Sequence, residues 1–358
     1  MGFWNWLFGG SDQHNAAATS RTSPRHAPRS LEREPQRAVA VLEEPADAPA
    51  VAEDDDWWKP DGDTHTEWVP PARPELSHEA RAFENLLISH FDGHDLSLPP
   101  LLNGAERVLP VLADPDCSVA VLADAVAEDQ VIAAAVLRMA NSPLYRGVHK
   151  ITALQPAISR LGTRAIRMLL VHESLRAATL HCAEYDREFA RMIWRRSLAS
   201  ACVMRGLARF TGHEREEAFL MGLLHDVGNV VVLRVAHQDQ SAFRYDGELD
   251  VNTFEYLCYE THQELGELVA DGWSLPPTLK SIIADHHEPP SADDPHRVAR
   301  LMVQATDMII ALLGFGNLVP YDLPGSRPVR ELGLSQREDF VAFLRELPEH
   351  LNESVSAL

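Results

Sequence analysis

Apolar residues recur at the spacing of an amphipathic helix along most of this chain, from about Leu76 onward. In the segment 130–140, for example, Ala, Val, Leu and Ile fall three or four residues apart, as one face of a helix requires. The period-two alternation of strands is nearly absent, and the one β-branched run, at 230–233, continues a helical pattern. The sequence therefore predicts an all-α fold.

Capping residues and breakers divide this pattern into helices. Ser118 and Asp129 precede apolar runs and are residue types favoured at the N-cap, so a helix is predicted after each. Thr152 is expected to cap a short helix that ends at Leu161. Gly162 then separates it from a long helix predicted over 163–180.

The first 75 residues have a different composition. Prolines interrupt this stretch repeatedly, and its apolar residues are sparse and aperiodic, which predicts a disordered tail. Its tip is nevertheless aromatic. Two interpretations stay open for this tip: an unpacked end, or an anchor that docks on a partner groove or a membrane interface through Phe3, Trp4, Trp6 and Phe8.

Charge and cysteine content exclude several classes of protein. A formal net charge of −21 over 358 residues argues against nucleic acid as a partner, because phosphate contacts need clustered Lys and Arg. The four cysteines contain no CxxC pair, so neither a zinc ribbon nor a disulfide framework is indicated. No uninterrupted apolar run reaches the roughly 18–20 residues of a membrane span, and no signal peptide is evident. We expect a cytoplasmic protein.

The motif that carries chemistry is Gly222-Leu223-Leu224-His225-Asp226-Val227-Gly228. Adjacent His and Asp can offer one metal ion an imidazole nitrogen and a carboxylate oxygen, a mixture that suits Zn, Mn or Fe. Further candidate ligands follow at intervals along the chain. The candidate metal set is His225, Asp226, His262, His286, His287 and Asp307.

Several local motifs, in order along residues 80 to 290, resemble the HDOD domain, a bacterial signalling branch related to HD phosphohydrolases. They are Leu98-Pro99-Pro100, Asp129, Asn141-Ser142-Pro143-Leu144-Tyr145, Ala157-Ile158, Leu161-Gly162, Trp194, Ser197 and the motif at 222–228. The resemblance implies an amino-terminal helical bundle over 76–185 and an HD-like helical subdomain over 186–320. Composition places the disordered tail over 1–75, and helical apolar spacing predicts a carboxy-terminal helical extension over 321–358. Whether that extension packs on the domain or on another chain stays open.

The resemblance also implies that the metal site is degenerate. Arg196 stands where HD relatives have their first histidine ligand, and a guanidinium has no lone pair for a metal. Asn229 replaces a lysine of the active relatives, and no Gly-Tyr-Pro follows Glu288. Any metal ligation is therefore expected to be vestigial or weak, with either no cofactor or one divalent ion (Mn, Fe or Zn). Arg196 is predicted to form an ion pair with Asp226 or Asp307.

These motifs and their departures leave two functions open. The first is a non-catalytic signalling or scaffolding module, whose partners the resemblance implies to be two-component or cyclic-di-GMP-linked signalling proteins; no catalytic residue is assigned. The alternative is a metal-dependent phosphohydrolase that acts on a phosphodiester or cyclic dinucleotide. A thiolate pair of Cys258 and His262, four residues apart, is a weaker enzymatic interpretation, and we interpret Cys258 as packing.

Overall fold

In the computed structural model every regular element of the described residues is a helix, as the apolar spacing predicts. The structure describes residues 57–58, 64–93, 105–114, 117–142, 145, 147, 149–181, 187–238, 251–272, 275–315 and 319–357. Within these ranges the helices are α1 (His78–Gly93), α2 (Ala105–Ala113), α3 (Val119–Ala127), α4 (Gln130–Asn141), α5 (Leu154–His181), α6 (Arg187–Thr211), α7 (Arg215–Leu224), α8 (Gly228–Gln238), α9 (Val251–Gly272), α10 (Pro277–Asp285), α11 (Arg297–Leu312), α12 (Arg327–Glu331) and α13 (Glu338–Ala357).

Two of the predicted caps, Ser118 and Asp129, begin helices of the amino-terminal bundle, whereas the helix after Thr152 begins at Leu154. The Ser118 hydroxyl accepts a hydrogen bond from the backbone N–H of Val121, and the Asp129 carboxylate accepts from Val131 and Ile132. Each cap satisfies backbone donors that the first turn leaves unpaired. At Gly162 the backbone adopts a φ of 77°, which favours glycine, so α5 is kinked there and its two parts match the predicted short and long helices.

The HD-like half of the fold depends on glycines that let helices touch. A Cβ at Gly222 would lie 2.5 Å from the carbonyl oxygen of Ser200, so α6 and α7 approach backbone to backbone. A Cβ at Gly228 would collide with the carbonyl of His262, so α8 meets α9 at the same closeness. Helix α11, which packs against α6 and α7, is buried along most of its length. These close approaches bring the turn after α7 to the middle of the bundle.

The carboxy-terminal extension packs on the domain itself, which answers a question that the sequence left open. Phe340 and Phe343 of α13 are buried, and both rings meet Phe210 at the end of α6 edge to face. Gly206 makes room for this contact, because a Cβ there would lie 2.5 Å from the Phe343 ring. The helix therefore closes one side of the hydrophobic core.

Part of the predicted disordered tail is packed, so the tail boundary at residue 75 is wrong. Trp58 is only 2% exposed, and the Trp57 indole N–H donates to the carbonyl of Leu344 at 3.2 Å. Residues 64–71 then lie against the segment 319–327. Proline content disfavours helices but not extended packing, and three tryptophans supply apolar area. The aromatic tip at Phe3, Trp4, Trp6 and Phe8 lies outside the described residues.

One stretch among the described residues is long and apolar enough to cross a membrane. It is Arg215–Ala236, and 94% of its most apolar window is buried inside the protein. The stretch is interrupted by the turn between α7 and α8, which carries His225 and Asp226. This burial is what a core helix pair requires.

Candidate metal centre

Four segments bring all six candidate ligands to one place. His225 caps the end of α7, and Asp226 follows in the turn before α8. His262 lies on α9, His286 and His287 follow α10, and Asp307 lies on α11. His225, Asp226, His262, His286 and Asp307 are buried, and His287 is half-buried beside them. The sequence places these residues up to 82 positions apart, so only packing of the helices assembles them.

Asp226 is the centre of the cluster. Its Oδ1 lies 3.5 Å from Nε2 of His262 and 3.4 Å from Nε2 of His286. Its Oδ2 lies 3.5 Å from Nε2 of His225 and 3.2 Å from Nε of Arg196. The carboxylate therefore has two sides: Oδ1 faces the imidazoles of His262 and His286, and Oδ2 faces the imidazole of His225 and the guanidinium of Arg196.

Three of the histidines are held in the same tautomer by the backbone. Nδ1 of His225 lies 2.8 Å from the carbonyl of Gly222, and Nδ1 of His286 lies 3.0 Å from the carbonyl of Ile282. Nδ1 of His262 lies 2.9 Å from the carbonyl of Cys258. A carbonyl can only accept, so each Nδ1 carries the proton and, in the neutral ring, each Nε2 presents a lone pair to the cluster. This arrangement is common among histidines that bind metals.

The separations of these lone-pair atoms fit one metal ion. The Nε2 atoms of His262 and His286 are 3.2 Å apart, and each is 3.4–3.5 Å from Oδ1 of Asp226. A tetrahedral site with bonds of about 2.0–2.2 Å has ligand separations of about 3.3–3.6 Å. Two neutral imidazoles cannot hydrogen bond through two lone pairs, so a cation between them would explain their approach. The donor set therefore fits a divalent ion held by His262, His286 and Asp226.

Buried atoms without hydrogen bonds point to the same place. Oδ1 and Oδ2 of Asp307, Nε2 of His225 and Oδ2 of Asp226 are buried without a hydrogen-bond partner. Nε2 of His225 lies 3.2 Å from Oδ1 of Asp307, within ion-pair range but without hydrogen-bond geometry. Buried polar atoms are normally satisfied, and the exceptions concentrate at ion and ligand sites.

Arg196 forms an ion pair with one of the two carboxylates that the sequence predicts for it. Its Nε lies 3.2 Å from Oδ2 of Asp226, so the ion pair forms with Asp226. Burial would raise the pKa of the Asp226 carboxyl, but the charges of His225 and Arg196 hold that pKa well below its usual range. The side chain of Arg196 therefore brings a permanent positive charge to one face of the cluster.

The electrostatics separate two of the histidines. Burial by itself would lower the pKa of His225, but Asp226 and Asp307 raise it to about 9, so the metal-free ring is a cation between two carboxylates. Burial lowers the pKa of His262 to about 4, and Asp226 only partly offsets it. The ring of His262 is consequently neutral and ready to donate a lone pair at physiological pH.

Cys258 is not an activated thiol. Burial raises its pKa well above the usual range, and the Arg196 charge does not offset this. Its backbone carbonyl, and not its sulfur, contacts His262. The thiolate interpretation is therefore not supported, and Cys258 is a buried lining residue.

Three residues at the site were not predicted from the sequence. Glu255, one turn before Cys258, lines the inner cavity. Burial raises the pKa of its carboxyl, and the Arg196 charge partly offsets this rise. Gln304, on α11, donates from Nε2 to the carbonyls of His286 and Glu288 at 2.7 and 2.8 Å. Trp68, from the stretch predicted as a tail, lines the same cavity and stacks on His287. Periodicity alone gave no signal for any of them, although Glu255 and Gln304 are polar positions on apolar helices.

The inner cavity beside the cluster is small. Its volume is about 40 Å³, and its lining includes Arg196, Asp226, His262, Asp307 and Trp68. One water-sized ligand needs roughly 10–15 Å³ measured in this way, whereas small-molecule pockets typically measure about 300–1,000 Å³. With Trp68 in place, the cavity can hold an ion and a few waters.

A family model for the HDOD domain matches residues 98–289, more than half of the chain and all but one of the ligand-bearing positions. This chain belongs to the HDOD family. The match ends before α11, so Asp307 lies beyond it. The packed carboxy-terminal helix α13 also lies outside the match.

Solved structures share the fold of this HDOD protein. A candidate metal-dependent phosphohydrolase of Shewanella amazonensis SB2B is 19% identical, with a TM-score of 0.61 over 77% of this chain and 100% of that chain. An HDOD domain protein of unknown function from Geobacter sulfurreducens is 23% identical, with a TM-score of 0.57 over 77% of this chain and 97% of that chain. At these identities the likeness concerns the fold alone.

One curated relative has a similar sequence. It is an uncharacterised protein of Treponema pallidum (strain Nichols), 20% identical over 241 residues, which are 66% of this HDOD chain and 44% of the relative. The chain thus spans less than half the length of that relative.

Proposed function

We propose that this HDOD protein is a regulatory signalling module of the cytoplasm, which acts by binding partner proteins and not by turnover. The observation that carries the proposal is the ion pair between Nε of Arg196 and Oδ2 of Asp226 at 3.2 Å. A fixed guanidinium neutralises the carboxylate that a second metal ion would otherwise share. The degenerate metal site is then a structural polar cluster that holds α7, α9, α10 and α11 together.

The chemistry of hydrolysis supports the same conclusion. Hydrolysis of a phosphate ester needs a polarised water and neutralisation of the phosphoryl charge. A divalent ion held by His262, His286 and Asp226 would supply Lewis acidity. Arg196 offers charge but cannot activate a water, since the guanidinium stays protonated. The inner cavity of about 40 Å³ leaves no room for a nucleotide while Trp68 covers it.

Partner recruitment and catalysis can be tested separately. Purified protein is expected to release no product from cyclic-di-GMP or bis(p-nitrophenyl) phosphate with Mn²⁺ or Fe²⁺ present. Co-purification from the native host, followed by mass spectrometry, identifies partners. Replacement of both His225 and Asp226 by Ala should keep those partners, provided circular dichroism shows the fold. Turnover that is lost in this double variant would contradict the proposal.

A second function, a metal-dependent phosphohydrolase, is favoured by one observation. The Nε2 atoms of three histidines face Asp226, and a backbone carbonyl orients each ring through its Nδ1. A cluster without a metal ion would not need this orientation of all three rings. Elemental analysis of protein purified without chelators distinguishes the two. Stoichiometric Mn, Fe or Zn together with hydrolysis would favour the enzyme, whereas stoichiometric metal without hydrolysis fits a structural ion in a signalling module.

A further inference from the structure

The segment 64–71, which we call the strap, lines the cavity of the His–Asp cluster through Trp68 and Pro71. Backbone hydrogen bonds join His65 to Pro320 and Asp322, and Thr66 to Arg327. The backbone N–H of Val69 also donates to the hydroxyl of Tyr321 at 3.3 Å. Each strap residue is half-buried or exposed, so the strap adds no fully buried side chain to the core.

Trp68 is the strap side chain that enters the domain. Its indole stacks on His287 at a centroid distance of 5.3 Å and an angle of 18°. It also stacks on Tyr321 at 6.0 Å and 11°. We call the place that the indole occupies beside these two rings the slot, because it accepts a flat aromatic group.

Trp68 lines two cavities. One is the cavity of about 40 Å³ beside Asp226 and His262. The other is a recess of about 280 Å³ lined by Gln304, Arg327 and the turn after α10. Trp68, Tyr259 and His287 line both spaces. Withdrawal of the indole would therefore enlarge the space open to a ligand on both counts.

A chain of polar contacts connects the strap to the ligand histidines. Glu67 of the strap pairs with Nε of Arg327 at 3.1 Å, and the guanidinium of Arg327 donates to Oε1 of Gln304 at 3.0 Å. Gln304 in turn donates to the carbonyl of His286 at 2.7 Å. The strap is therefore connected through Arg327 and Gln304 to the backbone of His286, a candidate ligand.

We propose that the strap is an intramolecular cover on a docking slot, and that an extended segment of a partner protein carrying an aromatic residue replaces it. The strap itself is the template for that occupant: an extended backbone beside 320–322 with one ring stacked on His287 and Tyr321. Addition of an extended segment to an exposed backbone edge is a common mode of peptide recognition. The proposal rests on the partner-binding function proposed above and identifies where a partner binds.

The contacts of the strap allow its exchange. It is held by a few backbone hydrogen bonds, one solvent-exposed ion pair and one stacked ring, and it contains only an isolated bridge between His65 and Tyr321. Segments with few buried contacts open locally at low free energy while the core stays folded. The strap and the partner segment thus compete for the same slot. The protein then has two states, one with the strap in the slot and one with the partner in it.

The cover is tested first without any partner, through the reactivity of buried thiols. Cys258 lines the inner cavity and is 7% exposed, whereas Cys202 is 8% exposed in the core of α6 and serves as an internal control. N-ethylmaleimide labelling of the full chain is followed residue by residue by mass spectrometry. Trp68→Ala should raise the Cys258 rate about tenfold or more, with Cys202 unchanged, and Trp68→Phe should restore the slow rate.

Surface variants keep the labelling test informative if Trp68→Ala perturbs the fold. Glu67→Gln removes the exposed ion pair and should raise the Cys258 rate by about two- to fivefold, the equivalent of roughly 0.4–1 kcal/mol. Glu75→Gln, also exposed, is the matched control and should leave the rate unchanged. If Trp68→Ala raises labelling at both cysteines, the fold is perturbed and the Glu67→Gln variant is used to test the cover. If the Cys258 labelling rate is then the same in wild type, Glu67→Gln and Glu75→Gln, the proposal that the strap covers the cavity is overturned.

The docking slot is tested with a fluorescein-labelled peptide that copies residues 64–71. It should bind the full-length Trp68→Ala protein at least tenfold more tightly than wild type, whose own strap competes. The same peptide with alanine in place of its tryptophan should lose that preference. Equal binding of both peptides overturns the slot. If the cover test succeeds and this test fails, the strap is a cover only, and partner binding elsewhere on the protein is unaffected.

Discussion

Gly228 packs directly against the carbonyl oxygen of His262, because a Cβ at this position would collide with it. This contact joins the start of α8 to the middle of α9 with no side chain between them. It also sets the distance between Asp226, two residues before Gly228, and the His262 ring, where Oδ1 and Nε2 are 3.5 Å apart. The glycine of the His-Asp motif is thus a spacer for the candidate metal site.

Gly228→Ala should therefore destabilise the protein by about 3 kcal/mol, since overpacking against backbone cannot be relieved by a rotamer change. Urea unfolding followed by circular dichroism measures the effect. Gly147→Ala is the control, because its Cβ would meet only the far end of the Arg160 side chain at 3.1 Å. Equal stability of the two variants would disprove the spacer role.

Arg196→Ala should lower stability by about 3 kcal/mol, because it leaves the buried Asp226 carboxylate without its guanidinium partner. Arg195→Ala provides the matched control on the same helix, since that guanidinium stacks over the Phe315 ring at 5.6 Å. The free energies of unfolding are compared at pH 7. A loss no greater than that of Arg195→Ala would show that the pair contributes little.

Arg196→His should raise metal affinity, because it removes a fixed cation and adds an imidazole donor to the candidate ligand set. Isothermal titration of the apo protein with Zn²⁺, and elemental analysis after purification, measure the change. We expect at least a tenfold lower Kd than in wild type. Arg196→Gln, which removes the charge and adds no imidazole, separates the two causes.

The buried Glu173, which lies outside the metal centre, should make the free energy of unfolding fall at acidic pH. Burial would raise the pKa of its carboxyl, but His172 and Arg176 lower it to about 2. A depressed pKa stabilises the fold above the unfolded value near 4.5, and this contribution is lost as pH falls toward 2. Glu173→Gln should therefore cost on the order of 3 kcal/mol at pH 7, and less as pH falls below 4.5.

The control for Glu173 is Glu128→Gln, whose partner Arg107 is exposed. That variant should change stability by less than about 1 kcal/mol at either pH. Urea unfolding at pH 7 and pH 3.5 gives both comparisons. A Glu173→Gln deficit that is the same at the two pH values would show that ionisation of Glu173 is not the cause.

Trp58→Ala should destabilise the domain by about 3–5 kcal/mol, because the ring is 2% exposed and lies against α13 beside Arg345. Ile88→Ala, at a site 47% exposed, is the control. A protein truncated to begin at residue 76 should show a similar loss. If both Trp58→Ala and the truncated protein unfold like wild type, residues 57–58 do not contribute to the fold.

Local rules decided much of this fold at the level of sequence. Apolar spacing determined that the chain is helical, and the hydroxyl of Ser118 and the carboxylate of Asp129 determined where two helices begin. These effects act within one turn of chain, so they can be recognised without knowing what lies nearby. The six candidate ligands were also recognisable, since residue types and the order of motifs do not depend on distances.

Long-range packing decided the rest. That the Asp226 carboxylate faces Arg196 with one oxygen and His262 and His286 with the other depends on how four helices cross. The position of Trp68 over the cluster depends on contacts with residues more than 200 positions away, which proline content and hydropathy cannot reveal. Composition measures how much apolar area a segment offers, but only the tertiary structure shows the surface on which that area is buried.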